Sequence, residues 1–135
     1  MSCEVLMNNA QLRDEAKFYF VPVLLGCNAT SRKLSRKIFR RYGILSYVLD
    51  EKRSLPDLLN ISGKFLKLPP NEADEITVKR LKGIAESTQY TLPILIPCNK
   101  KYRLFTQRCK STLEPFFVLS DEQLALTDSP LKIIP

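Results

Sequence analysis

A small α/β domain is what this sequence predicts: an open, mainly parallel sheet with helices on both faces. Three observations carry that expectation. The 135 residues suit a single continuous core. Hydrophobic residues make up 44% and charged residues 26%, which places the chain with globular proteins and apart from disordered or low-complexity ones. From Phe18 onward, short apolar runs rich in branched and aromatic residues alternate with segments of helical period.

The elements follow in order. Residues 1–17 show no clear amphipathic period and are expected to form a leader, with the α/β domain over 18–135. Residues 18–25 are a continuous apolar run ending at Gly26, as in a strand buried on both faces, although Pro22 removes one ladder donor. Residues 26–31 form a turn in which Asn28, Thr30 or Ser31 can cap the next helix. That helix is predicted over 32–42, with Leu34, Ile38, Phe39 and Tyr42 on one face and Gly43 in the left-handed position past its end. A second strand at 44–49, closed by 50–53, completes a βαβ unit, whose crossover makes the two strands parallel.

Residues 54–60 predict a short helical turn, and 64–68 a more polar strand nearer the sheet edge, stopped by Pro69 and Pro70. Asn71 is the expected cap of a further helix. Glu72, Asp74 and Glu75 complement the positive end of its dipole, and Ile76, Leu81, Ile84 and Ala85 supply its apolar face. A strand at 92–96, one helix over 102–113, a strand at 116–119 and a short helix opened by Asp121 finish the chain.

Composition removes several chemistries. The chain has no histidine, hence no Ser–His or Cys–His pair and no imidazole base. Cys3, Cys27, Cys98 and Cys109 are scattered without a CxxC pair, so they read as free thiols rather than zinc ligands. The longest apolar run is far short of the roughly 20 residues that span a bilayer, and the first residues lack a signal-peptide pattern. A cytoplasmic protein without a membrane partner is expected.

In open α/β sheets ligands sit at the carboxyl ends of the strands, here 26–31, 50–53 and 97–102. The first of these opens a helix and is a natural anion site, yet it holds one glycine where a dinucleotide fingerprint needs three. Asn28, Thr30 and Ser31 serve equally as ordinary caps. Asp50 and Glu51 stand where an acid takes ribose hydroxyls in dinucleotide folds, and Arg53 could meet a phosphate; turn chemistry is the alternative. Asn99 and Lys100 would face the same crevice as 26–31, and Cys98 beside them has no base to activate it. The net charge of +7 is concentrated in Arg32, Lys33, Arg36, Lys37, Arg40 and Arg41. No aromatic platform interleaves with them, so a solvated face, or one docked on an acidic domain, is expected in preference to nucleic acid.

Four runs carry a resemblance: Val23-Leu24-Leu25-Gly26-Cys27-Asn28, the helix with Arg36-Lys37-Ile38-Phe39-Arg40-Arg41-Tyr42-Gly43-Ile44, the strand Ser46-Tyr47-Val48-Leu49, and Ile94-Leu95-Ile96-Pro97-Cys98 with Tyr102. In order and spacing they resemble the preATP-grasp domain that opens biotin carboxylases, carbamoyl-phosphate synthases and ATP-grasp carboxylate–amine ligases. The likeness covers about residues 18–125 and is nearest to ligases similar to D-aspartate ligase. It implies a Rossmann-like domain packed against an ATP-grasp module that binds ATP and magnesium. Such enzymes activate a carboxylate as an acyl phosphate, which an amine then attacks.

The resemblance further implies that the loops after the first and fourth strands, with Gly26, Asn28 and Thr30 and then Cys98, Asn99 and Tyr102, form the substrate side of the cleft. Family members often carry an acid after the fourth strand, where this chain has Asn99-Lys100-Lys101. The residues given include no glycine-rich phosphate flap and no magnesium carboxylates. By themselves they are expected to bind no cofactor and to catalyse no ligation. The expected partners are an ATP-grasp module in cis or trans, a small carboxylate or amine, and a second copy if the docking surface is left bare. The alternatives are a stand-alone Rossmann-like module for a nucleotide or small anion, and a nucleic-acid-binding protein using the basic helix.

Overall fold

The computed structural model describes residues 20–53, 56, 60–69, 73–88 and 91–120. The expected leader, the cap at Asn71, the helix opened by Asp121 and most of the helical turn at 54–60 lie outside these residues, although Pro56 within that turn is helical. Strand β1 (Phe20–Leu25) is followed by helix α1 (Ala29–Tyr42), β2 (Ser46–Asp50) and β3 (Gly63–Lys67). Then come α2 (Asp74–Ser87), β4 (Leu92–Pro97), α3 (Lys100–Arg108), α4 (Lys110–Leu113) and β5 (Val118–Leu119). The five strands form one sheet in the order β3-β2-β1-β4-β5, with every neighbouring pair parallel. This is the expected small Rossmann-like α/β fold, and β3 is an edge strand as its polarity suggested.

Proline in a central strand is explained by where each residue's amide faces. The Gly26 amide donates to Leu49 of β2, and the Cys98 amide donates to Leu25 of β1. Because successive residues face opposite neighbours, Pro22 faces β2, while Pro93 and Pro97 face β5. The β1–β2 ladder begins at Val23↔Tyr47, and the β4–β5 ladder spans Ile94↔Val118 and Leu95↔Leu119. Each missing donor therefore falls beyond the end of the ladder it would have joined. The β1–β4 ladder, which runs unbroken from Phe20↔Leu92 to Leu25↔Pro97, loses nothing.

Helices cover both faces. On one side Leu34, Ile38 and Tyr42 of α1 pack on Phe20, Leu24, Val48, Ile94 and Ile96. On the other, Val78 and Leu81 of α2, Tyr102 and Phe105 of α3, Leu113 and Phe117 pack on Val23, Leu25, Leu49 and Leu95. The α1 stripe leans toward Ser31 and Ser35, both buried, and leaves the expected core residue Phe39 only half-buried. Small hydroxyl side chains at those positions let the helix lie close on the sheet. In α2 the stripe is Val78 and Leu81, and Ile76, expected on the apolar face, is 40% exposed. That helix starts after Ala73, which makes no side-chain cap.

The expected single helix over 102–113 is two. The chain leaves α3 at Cys109 (φ −105°, ψ 16°) and resumes as α4. The re-aimed turn drops Leu113 to full burial and delivers Phe117 to the same core.

Candidate functional site

Strand order places the crevice. The chain lays β2 and β3 on one side of β1 and β4 and β5 on the other, so the connections after β1 and β4 depart to opposite faces. At such a switch point the carboxyl ends of the two strands leave a gap that ligands occupy. Here that switch point lies between 26–28 and 97–99, whose loops touch through a hydrogen bond.

Each side of it is a helix start with an asparagine cap. Asn28 Oδ1 accepts from the Ser31 amide at 3.0 Å, and Ser31 Oγ accepts from the Asn28 amide at 3.0 Å, a reciprocal capping box. Asn99 Oδ1 accepts from the Tyr102 amide at 2.9 Å. The two caps are joined across the gap, because Asn28 Nδ2 donates to the Cys98 carbonyl at 3.0 Å. Two helix N-termini, each with partial positive charge, therefore meet at one place.

Gly26 is needed for that meeting. Its φ is +115°, a region closed to residues with a side chain, and an added Cβ would come within 2.9 Å of Asn99 Nδ2. The backbone of one loop thus lies directly beneath the amide of the other. Asn99 Nδ2 itself has no hydrogen-bond partner among the described residues.

Asp50, at the tip of β2, fastens both loops. Its Oδ2 accepts from the Cys27 amide at 2.8 Å, and its Oδ1 accepts from the Glu51 amide at 2.7 Å and the Tyr102 hydroxyl at 3.1 Å. Burial, and then the charge and hydrogen bond of Asp50, push the Tyr102 phenol well above its ordinary range. Alongside, Lys101 Nζ pairs with Glu51 Oε1 at 2.8 Å. A polar hollow of about 50 Å³ lies beside this network, with Glu51, Lys101, Tyr102 and Arg108 in its walls. With both carboxylate oxygens engaged, Asp50 acts as a tether between the loops.

Of the residues singled out from sequence, Gly26, Asn28, Asn99 and the Cys98 carbonyl are brought together. Tyr102 is buried one turn into α3 and aimed at Asp50. Ser31 is buried and committed to its cap, while Thr30 is half-buried in the first turn of α1. The Cys98 thiol is buried and donates to the Ile96 carbonyl at 3.6 Å, a structural role. Asp50 is the residue that sequence reasoning underread. A faint signal was the tyrosine three positions after Asn99, spaced to reach back from the first turn of a helix.

Among the described residues no group of three or more His, Cys, Asp or Glu could hold a metal ion. None of their helices is long and apolar enough to cross a membrane. Compared with known protein families, characterised proteins and solved structures, the chain matches none.

Proposed function

We propose that this chain is the substrate-side domain of an ATP-dependent carboxylate–amine ligase of the ATP-grasp type, and that its crevice receives a small carboxylate. One observation carries the reading: two capped helix N-termini and the spare Asn99 amide donors converge over Gly26 at the switch point of the sheet. Such an arrangement favours a negative group through backbone dipoles and neutral donors, without a buried counter-charge. Asn99 stands where family members often have an acid, which suits a carboxylate better than an amine. Asp50 and Tyr102 hold the loops in register and do not touch the ligand. ATP and magnesium belong to the companion module, which supplies the phosphorylation that activates the acid.

The test has two arms. In the first, the chain is titrated with a panel of small carboxylates and amino acids while the side-chain amide NMR signals of Asn28 and Asn99 are followed. Saturable shifts at both, with no response to MgATP and no ATP hydrolysis, are the expected outcome. ATP turnover by the chain alone would sink the reading. So would nucleotide-induced shifts without a carboxylate response, which instead favour a stand-alone nucleotide module. In the second arm the gene is read past the codon for Pro135 and through its neighbours. An ATP-grasp module there supports the ligase role, and its absence removes it.

A further inference from the structure

The amino edge of the sheet, opposite the crevice, carries an apolar side chain held out from the surface by a built turn. Ile61 is 85% exposed, the most exposed large hydrophobic residue among those described. The turn that carries it is pinned on both sides. Asn60 Nδ2 donates to Ser35 Oγ of α1 at 2.9 Å, and Asn60 Oδ1 accepts from the Ser62 amide at 3.1 Å. The Ser62 carbonyl accepts from the Ser46 amide of β2 at 3.3 Å, and Ser62 is itself buried. Leu45, next to Ser46, is 50% exposed at the same edge.

A concavity of about 430 Å³ opens beside Ile61, walled by Arg36, Arg40, Asn60 and Ser62. Arg36 and Arg40 belong to α1, whose outer face also bears Lys33 and Arg41 and whose whole length holds no acid. A preformed apolar projection, an adjoining hollow and a helix face rich in basic residues are three properties of a recognition surface, and they occupy one place.

We propose that this edge docks an acidic protein segment that sets an apolar side chain into the hollow beside Ile61 and its carboxylates against Arg36 and the neighbouring basic residues. Nucleic acid offers the hollow no alkyl side chain larger than a thymine methyl, and the basic face lacks the aromatic platforms on which bases stack. A lipid surface is flat and has no knob for a concavity. Because Ile61 is already held in place, binding does not have to order the turn. This surface is separate from the crevice and does not depend on the ligase reading.

The probe is a fluorescein-labelled, 18-residue amphipathic peptide with glutamates on one face and leucines on the other, titrated with the full chain and followed by anisotropy. Saturable binding that weakens with salt is expected, with affinity about tenfold lower for Ile61→Asp and for Arg36→Glu, a central hot-spot loss. Ile61→Ser separates lost apolar contact from added charge. Lys79→Ala, on the exposed face of α2, leaves the affinity unchanged, and unaltered thermal midpoints show that the variants are folded. The proposal is overturned if polyglutamate of equal length binds as well, or if Ile61→Asp and Ile61→Ser bind like the parent chain. Tighter association with phosphatidylglycerol vesicles or a single-stranded oligonucleotide overturns it too.

Discussion

At the carboxyl edge of the sheet Asp50 accepts three hydrogen bonds and both asparagine caps are engaged, so the polar groups that shape the crevice hold one another. At the amino edge the buried Tyr42 Oη and Ser46 Oγ have no hydrogen-bond partner among the described residues, and Leu45 and Ile61 stand exposed. The two edges share strands and helices, so the contrast is not one of fold. One edge ties its caps and its carboxylate to one another and leaves the Asn99 amide donors to spare. The other leaves buried hydroxyls bare, each at the desolvation cost of an unmade hydrogen bond.

That contrast can be broken first at Asp50. Asp50→Ala removes the carboxylate that accepts from the Cys27 amide, the Glu51 amide and the Tyr102 hydroxyl, and a loss of about 3 kcal/mol in denaturant unfolding is expected. A loss within error would mean that water replaces the carboxylate and that the crevice loops are not tethered by it. Gly26→Ala comes next, at about 2 kcal/mol, from the strained backbone and the displaced Asn99 amide together. Its NMR spectrum should show the Asn99 side chain moved, whereas an unshifted amide would mean that the two loops do not touch.

A matched pair of tyrosine variants sharpens the comparison. Tyr102→Phe removes a hydrogen bond from a satisfied network and should cost about 1 kcal/mol, while Tyr42→Phe removes an orphaned hydroxyl and should be neutral or stabilise by up to about 1 kcal/mol. Equal losses at both would erase the distinction between the edges. Tyr102 also has a pH signature. Its phenol titrates higher in the folded chain than the ordinary value near 10, so the folded state binds more protons than the unfolded above that pH. This contribution is intact below about pH 10 and is lost as the pH climbs toward the folded value. Alkaline stability curves should fall in the parent and flatten in Tyr102→Phe.

The smallest effect belongs to the exposed Arg108–Asp74 pair, 2.8 Å apart. Arg108 holds the Asp74 carboxyl below its usual value, so this stabilisation is present above the ordinary carboxylate range and is lost as pH falls through it. Arg108→Gln should barely move the unfolding midpoint, and less still in high salt.

Much of the fold was legible because its punctuation is local. Gly43 marks the end of α1 from within the sequence, and the apolar runs of β1 and β4 admit few other readings. Asn28 was one of three caps offered for the start of α1, although the helix begins at Ala29, three residues before the expected 32. The break at Cys109 was not legible, since neither glycine nor proline marks it and it follows from where Leu113 must be buried. Ile76 misled because a period of apolar residues does not say which flank of the stripe meets the sheet. The crevice was half-legible: the loops after β1 and β4 follow from ligands sitting at the carboxyl ends of strands, and Asn28 from capping. The capping role of Asn99 was not read, because α3 was expected to begin at 102. Asp50 was not, because its partners come from the β1 loop and from α3, more than twenty residues away on either side.

The three strand prolines give the sheet a built-in register. Sliding β2 two residues toward the start of β1 would carry Pro22 inside a ladder, opposite a carbonyl it cannot serve. The same displacement of β5 toward the start of β4 would do so at Pro93, and toward its end at Pro97. Mispaired arrangements that preserve the apolar pattern are thereby penalised while the native one is not, so the chain selects against its own near-misses during folding.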